Sequence, residues 1–300
     1  MGVPTDSPLV SVVVRTKDRP AELREALASI VAQTHRPLEV VVVNDGGGPV
    51  DQAVHAADRA VPVTLVRHPA SRGRAAAANA GVSAAHGLWI AFLDDDDLYL
   101  PHHLGAVLEA ARLAGAQVAY AGCRLERPDQ PAETLAFPFD REALRLANFV
   151  PTCAVLIGRA ALAEAGGFDE SLAFLEDWEL WLRLAQRHDF AFTPEVTSVY
   201  RVRPGTVGGE MAPERWQAME QLFARHWDGV TPRGLTARLW RLERDIAAWQ
   251  RRALAAEAEA ERQRLENRFV RELADAGLLP FVYRLSRLVS WLRGRRGTGA

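Results

Sequence analysis

Apolar positions follow two rhythms along this chain. The first is the short unbroken run. Pro8 to Val14 (PLVSVVV), Leu38 to Val43 (LEVVVV), Val61 to Val66 and Leu88 to Leu93 (LWIAFL) are nearly continuous and rich in β-branched residues. Runs of this kind read as strands covered on both faces, as in parallel sheets. The second rhythm is helical. Pro20 can open a helix, and Leu23, Leu27, Ile30 and Val31 give it one apolar face. An alanine-rich stretch from Ala75 stops near Gly87, and Pro101 to Ala114 reads as another helix. Further strands are expected at Gln117–Cys123 and Thr152–Ile157, with a short helix over Arg159–Ala165 ended by Gly166-Gly167. From Glu176 onward, Trp178, Trp181, Leu182 and Ala185 share a face, which predicts a helix buried on that side. Strand and helix alternation of this kind predicts an α/β fold: a Rossmann-like, mixed and mostly parallel sheet flanked by helices. Arg124 to Asn148, with Pro128, Pro131 and Pro138, is less periodic and reads as an irregular excursion able to carry specificity.

Polar chemistry collects where these strands end. Asp94, Asp95, Asp96 and Asp97 follow the fourth run without a gap. Ligands of open α/β sheets bind at the carboxyl ends of strands. Four adjacent carboxylates repel one another, so a positive partner is expected among them, and oxygen-only ligands suit Mg²⁺ or Mn²⁺. A solvated acidic turn capping the next helix satisfies the same pattern. Asn44-Asp45 precedes three glycines, where Asp45 can accept from a ribose or base, or serve as a turn residue. Arg72 and Arg74 sit before the alanine-rich helix, placed to meet a phosphate or to stay solvated. Glu176 and Asp177 open the tryptophan-bearing helix, as dipole-favoured first-turn acids or as a rigidly held functional carboxylate.

Composition changes this picture little. The 300 residues are 48% hydrophobic and 25% charged, with net charge −2. That is an ordinary globular balance, without the basic field of a nucleic-acid binder. Charge is divided unevenly: from Glu214 onward there are 17 arginines and 11 acids, and the remaining 19 basic and 27 acidic groups lie before it. Lys17 is the only lysine. Cys123 and Cys153 match neither a disulfide framework nor a metal spacing, and fit a reducing cytoplasm. No signal-peptide pattern or membrane-length apolar run is present.

After Gly209 the character changes, which suggests residues 1–212 as one domain and 213–300 as a helical region. Glu214 to Trp227 reads as one helix. Leu235, Leu239, Leu242, Ile246, Trp249, Ala253, Ala256 and Ala260 form a heptad stripe within a helix over 235–275. Its alanine half makes a weak coiled coil, suited to packing on the first domain or to a homodimer. Residues 281–296 place Phe281, Val282, Leu285, Leu288, Val289 and Leu292 on one face, with five arginines and no acid. That suits peripheral contact with an anionic membrane or docking on the protein.

The order Thr16-Lys17-Asp18-Arg19, Asn44-Asp45-Gly46, Phe92 to Asp97, Gly166 to Glu170 and Glu176 to Trp181 resembles family 2 glycosyltransferases of the GT-A fold. The resemblance covers about residues 8 to 206. It implies an inverting, metal-dependent enzyme that moves a sugar from a nucleotide-diphosphate donor to a glycan or lipid-linked acceptor, in cell-surface polysaccharide or glycan synthesis. It further implies that Thr16 contacts the nucleobase, with Asp18 and Arg19 beside it in the donor site. Asp45 reads base or ribose. Asp94 and Asp96 become the outer aspartates of a DxD motif, with Asp95 between them and Asp96 the nearer ligand to Mn²⁺ or Mg²⁺. Asp177 becomes the general base, with Glu176 and Trp178 on the acceptor side and Gly166–Glu170 in the acceptor wall. Two positions depart from the family pattern. Ala77-Ala78-Asn79 lacks an arginine that Arg72 or Arg74 would replace, and Arg203 stands where a histidine is common, able to grip a diphosphate. Two rivals remain: a sugar nucleotidyltransferase, disfavoured by a first loop without glycine, and a non-catalytic nucleotide-sugar-binding scaffold.

Overall fold

The computed structural model describes residues 7–128, 130–202 and 213–226. The chain divides into two compact units, Met1–Pro232 and Arg233–Ala300. The helix at 213–226 lies within the first of these units. The heptad helix over 235–275, the basic helix over 281–296 and Arg203 lie outside the described residues.

In chain order the elements are β1 (Val10–Thr16), α1 (Pro20–Val31), β2 (Leu38–Asp45), α2 (Asp51–Asp58), β3 (Val63–His68), α3 (Arg74–Ala84), β4 (Trp89–Asp94), β5 (Leu98–Tyr99) and α4 (His103–Ala114). There follow β6 (Val118–Glu126), β7 (Glu133–Leu135), α5 (Arg141–Leu144), a 3-10 turn (Thr152–Ala154), β8 (Val155–Gly158), α6 (Arg159–Glu164), α7 (Glu176–Ala185), β9 (Phe190–Arg201) and α8 (Pro213–His226). One sheet runs in the order β3-β2-β1-β4-β8-β6-β9-β5, with β7 added to β6. Strands β3, β2, β1 and β4 are parallel, β8 is antiparallel to both its neighbours, and β6 and β9 are parallel.

Strand alternation divides the core into two layers. Val10, Val12, Val14, Val40 and Val42 pack against Leu23, Leu27 and Ile30 of α1. Val13, Val41, Val43, Ile90 and Phe92 pack against α3 and α7. The alanine-rich composition of α3 follows from its close approach to the sheet: a Cβ on Gly81 would stand 2.3 Å from a methyl carbon of Val13. Fully buried Val and Leu side chains contribute about 1.5–3 kcal/mol each, so this two-sided burial dominates stability.

Several boundaries differ from the sequence expectation. Strand β1 runs to Thr16, which puts Arg15 inside a fully buried strand. Leu88 lies outside β4 and is 65% exposed, because the strand starts only where Trp89 pairs with Val10. The excursion over 124–148 contains the end of β6, all of β7 and α5. Helix α7 is buried on nearly every side, Glu176 and Glu179 included, rather than along one face. Cys123 and Cys153, unrelated by spacing, meet in the core as buried thiols with sulfurs 3.9 Å apart.

Candidate active site

The carboxyl ends of β1 and β4 are adjacent, and their register sets Arg15 opposite Asp94. The guanidinium grips Asp94 with two bonds, Nε to Oδ1 at 2.8 Å and Nη2 to Oδ2 at 2.9 Å. Its Nη1 donates to Glu176 Oε1 at 3.1 Å. Burial opposes charge on Arg15, but the Asp94 and Glu176 carboxylates outweigh it and raise its proton affinity. A buried cation inside a strand requires such partners.

Beyond Asp94 the chain turns back, with Asp97 N–H donating to Asp94 O at 3.1 Å. Tyr99 of β5 donates its hydroxyl to Phe92 O at 2.8 Å and fixes the return. Thr16 Oγ1 donates to Asp95 at 2.7 Å. Arg19 Nη1 donates to Asp95 at 3.1 Å and to Asp96 at 2.8 Å. The protein thus supplies its own cations to the acidic run. Burial, with help from the neighbouring Asp96 and Asp94 charges, still pushes the Asp95 carboxyl up to about 6. Burial and Asp94 push Asp97 well above the carboxylate range, against the N–H of Arg201. Among the described residues no three His, Cys, Asp or Glu side chains gather into a closed metal cage. Asp94 and Asp96 are oxygen donors of the kind Mg²⁺ and Mn²⁺ use when substrate phosphates complete the shell, each also held by an arginine, Asp94 by Arg15 and Asp96 by Arg19.

Asp45 ends β2 and organises the loop before α3. Its carboxylate accepts from Ser71 Oγ at 2.7 Å, Arg72 N at 2.9 Å and Gly73 N at 3.0 Å, and bonds His68 Nδ1 at 2.7 Å. Burial would raise this carboxyl, but the four donors outweigh it and hold the group at about 2.

Leu175, the residue that caps the start of helix α7, takes a left-handed φ of 63°. That conformation is uncommon for a branched apolar residue, and such strain concentrates at functional sites. Glu176, buried, is held by Arg15 and by Arg74 Nε at 3.3 Å. Arg74 also lies 5.5 Å from the ring centre of Phe174, a cation–π contact. Asp177 accepts from Asn148 Nδ2 at 2.9 Å, Thr152 Oγ1 at 3.2 Å and its neighbour Trp178 N at 2.8 Å. Trp178 and Trp181 anchor the helix through Nε1 bonds to Leu144 O at 2.6 Å and Val150 O at 3.1 Å. The helix start alone would favour ionised Asp177. Burial and the adjacent Glu176 charge outweigh that and raise the Asp177 carboxyl instead.

Two pockets share Arg15, Arg74, Asp94, Phe174 and Tyr200 as a common wall. The first, about 440 Å³, also holds Thr16, Lys17, Arg19, Asp45, Asp95, Asp96 and Arg201. The second, about 410 Å³, holds Glu176, Asp177 and Trp178 beside residues from 135–152. Of the residues singled out in the sequence, Asp18 lines neither pocket. It takes a φ of 57° and accepts from Gly48 N at 2.8 Å, tying the first loop to the second. Gly166–Glu170 line neither pocket as well: Phe168 exchanges two 2.9 Å bonds with Asn79 and packs edge-on against Phe92. That segment is tied to α3 through Asn79. Arg72 is exposed, and its side chain reaches Glu170 at 3.5 Å while Arg74 faces the pockets.

Arg15, Phe174, Tyr200 and Arg201 were not singled out beforehand. Arg15 carried a signal, a charge closing a β-branched run, and such a charge must find partners. Arg201 donates its backbone N–H to Asp97 at 2.9 Å, and its Nη2 is buried with no hydrogen-bond partner among the described residues.

A parallel sheet with an antiparallel far half and an acidic turn at its centre is the architecture of the GT-A glycosyltransferases. A mannosyltransferase structure from Pyrobaculum calidifontis, in complex with GDP-Man and Mn²⁺, superposes with a TM-score of 0.58 at 22% identity, covering 84% of this chain and 77% of that one. The profile of glycosyl transferase family 2 matches residues 11–168, and the chain belongs to that family. A Bacillus subtilis glycosyltransferase, YwdF, is 27% identical over 74% of this chain and 86% of its own length. The succinoglycan biosynthesis protein ExoO of Rhizobium meliloti is 29% identical over 74% of this chain and 70% of its own. Several other relatives are covered over less than two thirds of their length, among them a Rickettsia typhi glycosyltransferase at 65%.

Proposed function

We propose that this glycosyltransferase is inverting and transfers a sugar from a nucleotide diphosphate to an acceptor hydroxyl, with Asp177 as general base. The observation that carries the reading is the shared wall between two pockets of different charge. Five cations (Arg15, Lys17, Arg19, Arg74, Arg201) against four carboxylates line the first, which suits an anionic donor. Asp177 stands in the second, on a rigid helix start, with its carboxyl raised toward working pH as a base requires. Attack from the second pocket comes from the side opposite a leaving diphosphate in the first, which inverts the anomeric carbon.

Asp96 and Asp94 would hold a divalent ion, which supplies Lewis-acid stabilisation of the leaving diphosphate. Arg19, Arg74 and Arg201 bind and orient the phosphates, and Thr16 and Asp45 close the nucleoside end. Glu176, fixed by two arginines, keeps the base in place. The name of the Rhizobium relative supports a role in polysaccharide or glycan synthesis. Among the described residues no helix is long and apolar enough to cross a membrane.

Asp177→Asn keeps the shape and removes the basicity. It should leave donor affinity within a few-fold and lower transfer by about 10²-fold or more. The donor used is the one among UDP-, GDP- and dTDP-sugars with Mn²⁺ that most raises the melting temperature. Near-native turnover in Asp177→Asn would sink the assignment, and joint loss of donor binding would move Asp177 into the donor site.

A further inference from the structure

The second pocket is sorted by charge and by surface. Arg15 and Arg74 line it against Asp94, Asp97, Glu176 and Asp177. Arg15 is buried within the wall on Asp94 and Glu176, and Arg74 pairs with Glu176 at the edge shared with the first pocket. Asp177 receives hydrogen bonds from Asn148, Thr152 and the Trp178 N–H, all uncharged, and no ion pair reaches it among the described residues. A negative charge brought beside the reacting hydroxyl would therefore face a carboxylate that Arg74 and Arg15 offset only from a distance.

The lining residues between Leu135 and Thr152 contribute no formal charge to the pocket. They include Phe137 and Phe149, whose rings meet edge-on with centroids 6.3 Å apart. Tyr120 braces both, its hydroxyl donating to Phe137 O at 2.6 Å and its ring 6.4 Å from Phe149. Both phenylalanines are half-buried and line the pocket. An apolar, aromatic surface with a few polar groups at one end suits a ligand with an apolar face and hydroxyl edges.

We propose that this pocket takes an uncharged pyranose ring on the Phe137–Phe149 wall and rejects acceptors that carry a carboxylate or phosphate near the reacting hydroxyl. The inference rests on the reading of Asp177 as the acceptor-side base. Rejection comes from the like charge placed against the wrong ligand, and selection from ring contact.

The test uses p-nitrophenyl glucoside, galactoside and mannoside beside the matching glucuronide and galacturonide, which differ at C6. Binding to the full chain is titrated by saturation-transfer NMR with UDP or GDP present. At least one neutral glycoside should bind through its ring protons, and its uronide should bind roughly tenfold more weakly or worse. Asp177→Asn should narrow that gap. Phe137→Leu and Phe149→Leu keep apolar bulk and remove the ring face; they should weaken the neutral glycoside several-fold and leave nucleotide affinity unchanged. Equal or tighter binding of a uronide overturns the proposal, as does binding by none of the neutral glycosides or indifference to both leucine variants. Nucleotide affinity of Arg19→Ala is measured in parallel. If it is unaltered while the glycoside results hold, the donor-pocket reading fails and this one stands.

Discussion

Arg15→Met is the perturbation that tests the centre of the site most directly. Methionine keeps the apolar stem within β1 and deletes the fork that joins Asp94 to Glu176. Arg15 is 8% exposed, Glu176 4% and Asp94 30%. Removing one member of a buried ion pair typically costs about 3–5 kcal/mol, because the other member is left charged and unpaired. Two features here pull toward the lower end: Asp94 retains some water, and Arg74 still reaches Glu176. A loss of about 3 kcal/mol corresponds to a melting temperature lower by about 6–12 °C in a unit of this size. Thermal unfolding followed by far-UV circular dichroism reads it, with urea unfolding as the check. Arg15→Lys keeps the charge without the bidentate geometry and should fall between the two. The double variant Arg15→Met with Glu176→Met removes the orphaned charge and should recover part of the loss. A single variant within about 2 °C of the parent, or a double variant that loses the sum of both, would refute the account of Arg15 as a buried ionic bridge.

Two further outcomes follow from the same geometry. The Asp45 carboxyl is held at about 2, below its ordinary value of 3.8, so its contribution is present above pH 4 and lost as pH falls toward 2. At about 1.36 kcal/mol per unit, Asp45→Asn should cost about 2 kcal/mol at pH 7, with a difference that shrinks through that window; urea midpoints separated equally at every pH would contradict it. Asp96→Ala should abolish the Mn²⁺-dependent gain in nucleotide affinity and leave the protein folded, since Arg19 keeps Asp95 as a partner. Calorimetry showing the same gain would remove Asp96 from the metal site.

The sheet, the helix order and the acid cluster were legible because they depend on local pattern. An unbroken β-branched run has few outcomes other than a buried strand, and Pro20 or the double glycine at 166–167 marks an element end by itself. What stayed hidden depends on register between strands far apart in sequence. Arg15 and Asp94 are 79 positions apart, and only parallel pairing of β1 with β4 brings them opposite one another. Gly166–Glu170 follows its family motif, and three of its contacts are long-range: the Phe168 ring on Phe92, Glu170 on Asn79 and Asp169 on Arg225. Asp18 likewise belongs to the right loop, but its left-handed backbone aims the carboxylate at Gly48.

The hidden contacts are also the ones that make the two pockets one site. Asp94, Arg15, Glu176 and Arg74 form a continuous chain of ion pairs from the acidic turn to the start of α7. Asp94 lines both pockets, and Glu176 is the chain neighbour of Asp177. Any change in the charge around Asp94, such as arrival of a diphosphate, changes what Arg15 contributes to Glu176, and through the like-charge effect on Asp177 the readiness of the base. On the proposed reading, such a site would tie the proton affinity of Asp177 to the charge held in the first pocket. Leu175, with its left-handed backbone, sets the direction in which Glu176 and Asp177 leave the loop, one toward Arg15 and Arg74 and the other toward Asn148 and Thr152.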